Sequence, residues 1–340
     1  MPRIASNRAL TGLAIGLLTA TLGAPGVATA ASRPVGARLC ALKPLPLPTD
    51  VTHGEAEVID PTGRFIAGRG VRITGDVWES LLLLWDGPRV SVVPTDAGEQ
   101  VSGVNRNGVV IGSIFVGGSY RPWRYRDGRL EELLVPASVS GAWAEGINAR
   151  GDIVGRGAVE ATETMLPLLW PADRPGTVEV IDAPRDAIPM EILDDGTVVG
   201  NAGGSGGSPP ALAWVRRTDG RIDRLTRPTG EYSWVTAAAG DWAVGGVGPG
   251  PDGEGYTPTR WDLRSGIDVP TNPGLSTVRD INARGIVLGV KAVDHGDRLV
   301  PLPGAVPGTV SVWGMEIADN GTVVGYLSTD RLRPVRWIGC

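Results

Sequence analysis

The chain has 340 residues, of which 42% are apolar, 50 are glycine and 28 are proline, so it can build a core and has many tight turns. Its 32 basic and 37 acidic residues give a net charge of −5 without a basic run, which is a poor match to nucleic acid or anionic lipid. This composition excludes a disordered chain and argues against a nucleic-acid-binding protein.

The first thirty residues have the pattern of an export signal. Arg3 and Arg8 precede an apolar run from Leu10 to Val27, and Ala28-Thr29-Ala30 supplies the small residues of a cleavage site. Glycines and a proline interrupt the run, which favours a cleaved signal over a permanent membrane anchor. We therefore predict a signal peptide over residues 1–30, cleaved after Ala30, and a secreted protein with a single domain over residues 31–340.

A phrase of the form apolar–turn–Gly–x–apolar–apolar–Gly then recurs seven times. Its closing glycines lie 44, 43, 45, 45, 44 and 36 residues apart, at Gly68, Gly112, Gly155, Gly200, Gly245, Gly289 and Gly325. A period near 44 residues is typical of the blades of a β-propeller. The spacing predicts an all-β fold, a seven-bladed β-propeller of four-stranded blades.

The third repeat shows how one blade is expected to form. Trp143–Ile147 and Asp152–Gly155 read as two short strands, and Asn148-Ala149-Arg150-Gly151 between them reads as a tight turn. Leu166–Trp170 and Val178–Ile181 follow as the third and fourth strands.

An aromatic residue marks the end of the third strand in six repeats. The marks are Trp85, Tyr125, Trp170, Trp214, Trp261 and Trp337. The sixth repeat has Val300-Pro301 in that place and no aromatic residue. One large aromatic at the same place in each blade favours packing between neighbouring blades over a ligand cage.

The two recurring phrases together resemble a known family. Ile147-Asn148-x-x-Gly151-x-x-Val154-Gly155 and Arg333-Pro334-Val335-Arg336-Trp337 are similar to the HAF repeat of bacterial extracellular proteins. The resemblance covers Glu55 to Trp337, but Arg121-Pro122-Trp123, Thr257-Pro258-Thr259 and Arg333-Pro334-Val335 stand where that family has His-Ala-Phe. It implies a bacterial extracellular protein with this repeat architecture, and it implies no particular activity.

The two ends of the chain are predicted to meet. The seventh repeat ends without a fourth strand, and the segment of about residues 40–48 precedes the first hairpin, so it is expected to pair with the last blade over residues 315–340. Cys40 and Cys340 are the only cysteines and lie beside this junction. In an exported ring we predict a disulfide between them, the alternative being two unrelated thiols.

Residues with catalytic or cofactor-binding patterns are scarce. The two histidines, His53 and His295, are far apart, and no metal-type spacing occurs. Asp294-His295-Gly296-Asp297 and Pro249–Gly255 contain oxygen ligands that could serve a structural Ca²⁺, but neither has the spacing of a known loop. We therefore predict no cofactor and no catalytic residue, although carboxylates could still meet across the ring.

Aromatic residues gather where the loops between second and third strands and the connections between blades share a face. They are Trp78, Tyr120, Trp143, Tyr232, Trp234, Tyr256 and Trp313. Trp143 and Trp313 lie eight residues before the turn glycine, and Trp234 is offset by one register. These seven are the candidate ligand-binding residues, because rings on variable loops suit sugars or protein partners. The alternative is that they cover the top of the core.

Two functions are therefore expected from the sequence. The first is a secreted, monomeric binding module for a polysaccharide, a cell-wall component or a protein, without recognisable catalytic machinery. The alternative is a propeller-type glycoside hydrolase or lyase with carboxylates lining the channel. A cluster of carboxylates with shifted pKa in the channel would favour the enzyme, and a bare channel with exposed rings would favour the binding module.

Overall fold

A computed structural model describes residues 40–94, 100–203, 212–225, 232–249, 255–304 and 311–340. Seven antiparallel sheets of four strands each form the blades of a β-propeller, as the repeat predicts. In the part of the chain that is described, no helix is long and apolar enough to span a membrane. The predicted signal peptide lies outside the described residues.

The strand bounds follow the repeat. The chain begins with β1 (Ala41–Pro44) and continues with the first blade, β2 (His53–Ile59), β3 (Phe65–Thr74), β4 (Val77–Asp86) and β5 (Arg89–Pro94). The second blade is β6 (Gln100–Val104), β7 (Val110–Val116), β8 (Ser119–Arg126) and β9 (Arg129–Glu132). The third is β10 (Gly141–Ile147), β11 (Ile153–Val159), β12 (Thr164–Trp170) and β13 (Glu179–Val180), so its four predicted strands are confirmed.

The other blades are built in the same way. The fourth is β14 (Ile188–Ile192), β15 (Val198–Ala202), β16 (Leu212–Arg216) and β17 (Ile222–Leu225), and the fifth is β18 (Tyr232–Ala239), β19 (Trp242–Gly248), β20 (Thr257–Asp262) and β21 (Asp268–Pro270). The sixth is β22 (Val278–Ile281), β23 (Val287–Gly289), β24 (Ala292–Asp294) and β25 (Leu299–Pro301), and the seventh has β26 (Ser311–Ile317), β27 (Val323–Ser328) and β28 (Leu332–Ile338).

The ring closes as predicted. Strand β1 pairs with β28 from Ala41 opposite Ile338 to Pro44 opposite Val335, so the N-terminal strand is the fourth strand of the seventh blade. Cys40 and Cys340 form a disulfide next to this pairing, which confirms the predicted bond. Since it joins residues 300 positions apart, it removes more unfolded-chain entropy than a short loop would.

The asparagine of the recurring phrase holds neighbouring blades together. The buried Asn148 accepts backbone hydrogen bonds from its own turn at 3.0–3.1 Å and donates its side-chain amide to the Leu193 carbonyl of the next blade at 3.3 Å. Asn105 donates in the same way to the Asn148 carbonyl, and Asn282 donates to the Ala318 carbonyl. Asp60 at the same place in the first blade also accepts from its own turn, but a carboxylate cannot donate to the next blade.

The recurring tryptophans pack between blades, as predicted. Five of the marks are at most 4% exposed: Trp85, Trp170, Trp214, Trp261 and Trp337. Trp214 is not at the predicted position, since it pairs with the closing glycine Gly200 itself and Arg216 pairs with Val198. Trp85 of the first blade, for example, packs with Ala318 and Val324 of the seventh. Three indole N–H groups also donate to connections between blades, from Trp85 to Pro46 O, from Trp170 to Leu134 O and from Trp337 to Pro303 O.

The sixth blade lacks the aromatic residue, as predicted, but the prediction that Val300-Pro301 ends its third strand is wrong. Val300-Pro301 belongs to the fourth strand, β25, and the third strand is β24. Asp294 occupies the aromatic position, since it pairs with Val287 as Trp337 pairs with Val323. Strands β23 and β24 are short, Val287–Gly289 and Ala292–Asp294, so the third strand ends sooner after the closing glycine than in the other blades.

The offset expected for Trp234 is also wrong. Trp234 pairs with the residue that follows the closing glycine, as Trp143 and Trp313 do in their blades. The fifth hairpin has only two residues between the paired Ala239 and Trp242, so a count back from its turn glycine comes out short. The three tryptophans occupy one structural position.

Candidate functional site

Each innermost strand of a blade carries a β-bulge at the same place. The register shifts by one residue in β2, β6, β10, β14, β18, β22 and β26. The first residues to pair again after the bulge are Val58, Gly103, Gly146, Glu191, Ala237, Asp280 and Glu316. A bulge changes the direction of the side chains that follow it, and here it brings three acids to the wall of the central channel.

Glu191, Asp280 and Glu316 form what we call the acidic level. They line a cavity of about 350 Å³ whose wall comes from the innermost strands and hairpin turns of all seven blades. The Asp280 carboxylate accepts the Ile317 N–H at 2.7 Å, and the Glu316 carboxylate accepts the Ile59 N–H of the first blade. Among the described residues, none donates a hydrogen bond to the carboxylate of Glu191.

Glu191 occupies space that a glycine leaves open. A Cβ atom at Gly146 of the third blade would lie 3.0 Å from Oε2 of Glu191 and 2.8 Å from the Met190 carbonyl. Any larger residue at position 146 would displace the fourth blade's strand or its glutamate. The position of Glu191 therefore depends on two neighbouring blades.

Burial and the charges of nearby carboxylates raise the pKa of all three acids. Burial raises the pKa of Glu191 well above its ordinary value, and the charges of Asp280 and Glu145 raise it further. Burial and the charge of Asp280 do the same for the pKa of Glu316, against the Ile59 hydrogen bond. Burial raises the pKa of Asp280 to about 7, although backbone N–H groups oppose it.

The charges that act on the acidic level are therefore carboxylates. Arg279, the bulged residue next to Asp280, acts instead on Tyr326, whose pKa burial raises and Arg279 lowers. Arg106 lines the cavity but pairs with Asp194 of a hairpin turn.

Two further glutamates, Glu57 and Glu145, are the bulged residues of β2 and β10, and we call them the paired glutamates. Arg69 contacts Glu57 at 2.7 Å and Glu55 at 3.3 Å, and Arg156 contacts Glu145 at 3.2 Å. Burial raises the pKa of Glu57 to about 7 and also raises that of Glu145, while the adjacent arginine lowers it in each case. Each of these acids has a cation, unlike the acidic level.

Five of the seven predicted ligand-binding aromatics are half-buried and lie against another ring. Ring centroids are 4.8 Å apart in Tyr120–Trp143, 4.5 Å in Trp234–Tyr256 and 6.1 Å in Trp313–Tyr326. The Arg156 guanidinium lies 4.9 Å from the Trp143 ring. Faces that pack on each other are not free for a ligand, so this arrangement favours the alternative in which these rings cover the core.

Trp78 and Tyr232 differ from the other five. Trp78 is 71% exposed and Tyr232 is 37% exposed. Trp78 borders a groove of about 560 Å³ over the first blade, away from the acidic cavity. The structure thus does not bring the seven predicted aromatics into one site, and their role in binding stays a prediction.

The sequence reasoning missed the acidic level, although a signal was present. When the seven phrases are aligned on the apolar residue before the turn, the preceding column holds Glu191, Asp280 and Glu316 in three of seven repeats. Strict alternation would give that column to the core, and only the bulge opens it to the channel.

The candidate Ca²⁺ segments remain without support. Residues 250–254 of the Pro249–Gly255 segment lie outside the described residues. Asp294 is buried in a hairpin and accepts the N–H groups of Asn272 and Gly296, both at 2.7 Å. Within the described ranges, no group of three or more His, Cys, Asp or Glu residues is placed to hold a metal ion.

Comparison with known proteins supports the fold. No family model matches the chain, and no curated protein matches it. Among solved structures, the chain is similar to the β-propeller domain of the Trilobed protease from Pyrococcus furiosus, with a TM-score of 0.58 and 12% identity over 85% of this chain and 96% of that one. That propeller is described as having an open velcro topology, whereas β1 completes the last blade here.

Two peptidases are also similar. An acylaminoacyl peptidase in complex with Z-Gly-Gly-Phe-chloromethyl ketone has a TM-score of 0.53 and 11% identity over 86% of this chain and 52% of that one. The Pyrococcus horikoshii acylaminoacyl peptidase has a TM-score of 0.51 and 11% identity over 83% and 52%. This chain spans about half the length of either peptidase, and identities this low show the fold alone. The protein is a seven-bladed β-propeller with an acidic central channel.

Proposed function

We propose that the protein is an exported binding module whose central channel holds a protonated amine of its ligand. The observation that carries the proposal is the acidic level, where three carboxylates from three blades border one cavity of about 350 Å³ and have no cationic partner among the described residues. The ligand classes expected from the sequence, polysaccharide and protein, both include members that carry amines.

An amine would relieve the cost that the channel imposes on these acids. A buried carboxylate without a partner takes up a proton because its charged form is poorly solvated. A bound ammonium would let the acids ionise, and it would donate to the oxygens of Glu191 that no described residue contacts. The cavity volume falls within the range of about 300–1,000 Å³ typical of small-molecule sites, and it is far larger than a bare metal ion.

Two further features support export. The N-terminal pattern of residues 1–30 is that of a secretory signal, and the Cys40–Cys340 disulfide suits an oxidising compartment. The HAF-repeat resemblance points to the same location.

Isothermal titration calorimetry with spermidine, a flexible triamine, tests the proposal. We expect binding at pH 8 that weakens at least tenfold at pH 5.5, because protons then compete for the same carboxylates. Glu191→Gln and Asp280→Asn should each weaken binding at pH 8, while Asp127→Asn, on an exposed turn whose side chain is 89% exposed, should not. Equal affinity in the wild type and in both channel variants would contradict the proposal.

The alternative, a propeller-type glycoside hydrolase, is favoured by one observation. The channel holds acids whose environments differ, since Asp280 has backbone donors and Glu191 has none among the described residues. Such a pair can supply an ionised base and a protonated acid near neutral pH. Turnover of aryl glycosides that is lost in Glu191→Gln and in Asp280→Asn would establish this function in place of amine binding.

A further inference from the structure

The first blade has a projecting hairpin. Strands β3 and β4 have ten residues each, whereas no other strand within the described residues exceeds eight. The inner strand β2 begins at His53, which pairs with Val71, so residues 72–79 extend beyond it as a two-stranded ribbon. The ribbon and the end of the inner strand leave one face of the blade open.

That open face carries a groove of about 560 Å³. Directly paired residues of an antiparallel sheet point to the same face. Three rows of such neighbours share it: Glu55 with Arg69, His53 with Val71 and Ser80, and Ile73 with Trp78. Leu332 of the seventh blade also lines the groove.

Trp78 is a free aromatic platform. Its side chain is 71% exposed, and within the described ranges no second ring lies against it, in contrast to Trp143, Trp234 and Trp313. An exposed indole at the edge of a concave surface costs solvation free energy and is therefore typical of a binding site.

The polar groups beside Trp78 are planar and already paired in charge. Arg69 is held by Glu55 at 3.3 Å and Glu57 at 2.7 Å. The Nδ1 atom of His53 accepts the Leu332 N–H at 3.4 Å, which leaves the proton of the neutral ring on Nε2 as a donor. This groove therefore offers donors and acceptors and, unlike the described surroundings of the acidic level, includes a cation beside its carboxylates.

We propose that the groove over the first blade binds a neutral glycan chain. The apolar C–H face of a pyranose ring would stack on Trp78, and its hydroxyl groups would bond to the Glu55–Arg69 pair, to His53 and to Ser80. An aromatic platform next to planar, charge-paired hydrogen-bonding groups fits a polyhydroxylated ligand better than a charged one. This site is separate from the channel and does not depend on the proposed amine binding.

Retention on insoluble polysaccharides tests the proposal. The mature protein is incubated with chitin, cellulose and β-1,3-glucan, and the bound fraction is measured for each. We expect retention on at least one of them, an approximately tenfold loss of affinity in Trp78→Ala, and partial recovery in Trp78→Tyr. Ser80→Arg, which fills the groove, should also abolish retention.

Two controls separate this proposal from others. Ile267→Ala removes an apolar side chain that is 62% exposed on another blade and should leave retention unchanged. Asp280→Asn should lose spermidine binding and keep glycan retention, so that failure of the channel proposal and failure of this one remain distinguishable. Retention on none of the three polysaccharides, or equal retention by Trp78→Ala and wild type, would overturn the glycan groove.

Discussion

The paired glutamates and the acidic level lie one residue apart on equivalent strands, but they differ in how the charge of a buried carboxylate is compensated. Glu57 and Glu145 have an arginine from the second strand of their own blade, Arg69 or Arg156, directly after the closing glycine. In the blades of Glu191, Asp280 and Glu316 that position holds Asn201, Val290 and Tyr326. The paired glutamates therefore have an arginine in their own blade, and the corresponding position of the other three blades holds no basic residue.

This difference distinguishes acids that stabilise the fold from acids that are available to a ligand. A buried acid with its own arginine is compensated without a ligand, whereas the acids of the acidic level are compensated only by protons or by a cation from outside. Removing the arginine of a paired glutamate should therefore destabilise the fold, whereas neutralising an acid of the acidic level should stabilise it.

The largest effect is expected from Arg156→Met, which removes the cation of Glu145. We expect the free energy of unfolding at pH 8 to fall by about 2–4 kcal/mol, because the change leaves a buried acid unpaired while the partial exposure of Arg156 limits the loss. Urea denaturation measures it. The double variant with Glu145→Gln is the control and should recover much of the loss, and a double variant as unstable as Arg156→Met would contradict the pairing account.

In contrast, Asp280→Asn is expected to increase the free energy of unfolding at pH 8. The folded-state pKa of Asp280 is about 7, against an ordinary value of 3.8, so the native state binds more protons than the unfolded chain between these values. Stability should therefore fall as pH rises through this window, and the amide should remove that part of the loss. We expect a gain of roughly 1–3 kcal/mol at pH 8 and none at pH 3.5. Asp127→Asn is the matched control, and a variant less stable than wild type at pH 8 would refute this prediction.

A smaller effect is expected from Gly146→Ala, which adds a methyl group where Glu191 lies. The new Cβ would be 3.0 Å from the glutamate oxygen and should shift it from the cavity wall. We expect spermidine affinity to fall about threefold to tenfold, through a change of roughly 1 kcal/mol in binding free energy. Calorimetry at pH 8 measures it, and unchanged affinity would show that Glu191 does not contact the amine.

The repeat predicts the fold well because the spacing between recurring phrases is kept even where individual residues of a phrase differ. Seven blades, the closing strand and the Cys40–Cys340 disulfide all follow from where the phrases and cysteines stand. The errors in register at Trp234 and at Val300-Pro301 arose where an element is unusually short. These elements are the two-residue turn before Trp242 and the strand that ends at Asp294.

The candidate site was harder to predict because it depends on a bulge and on contacts between blades. Nothing local to Glu191 indicates that it reaches the channel, and its place depends on Gly146, 45 residues earlier. Likewise, the aromatic residues could be listed from the sequence, but only the structure distinguishes Trp143, which lies against Tyr120, from the exposed Trp78.

The most direct test of the central claim is the number of protons released when spermidine binds. Calorimetric titrations at pH 7 in two buffers with different ionisation enthalpies give this number. If an ammonium group replaces protons on Glu191, Asp280 and Glu316, wild-type protein should release close to one proton or more per spermidine, and the variant with all three changed to amides should release none. Binding without proton release, or equal release by the triple variant, would contradict the account.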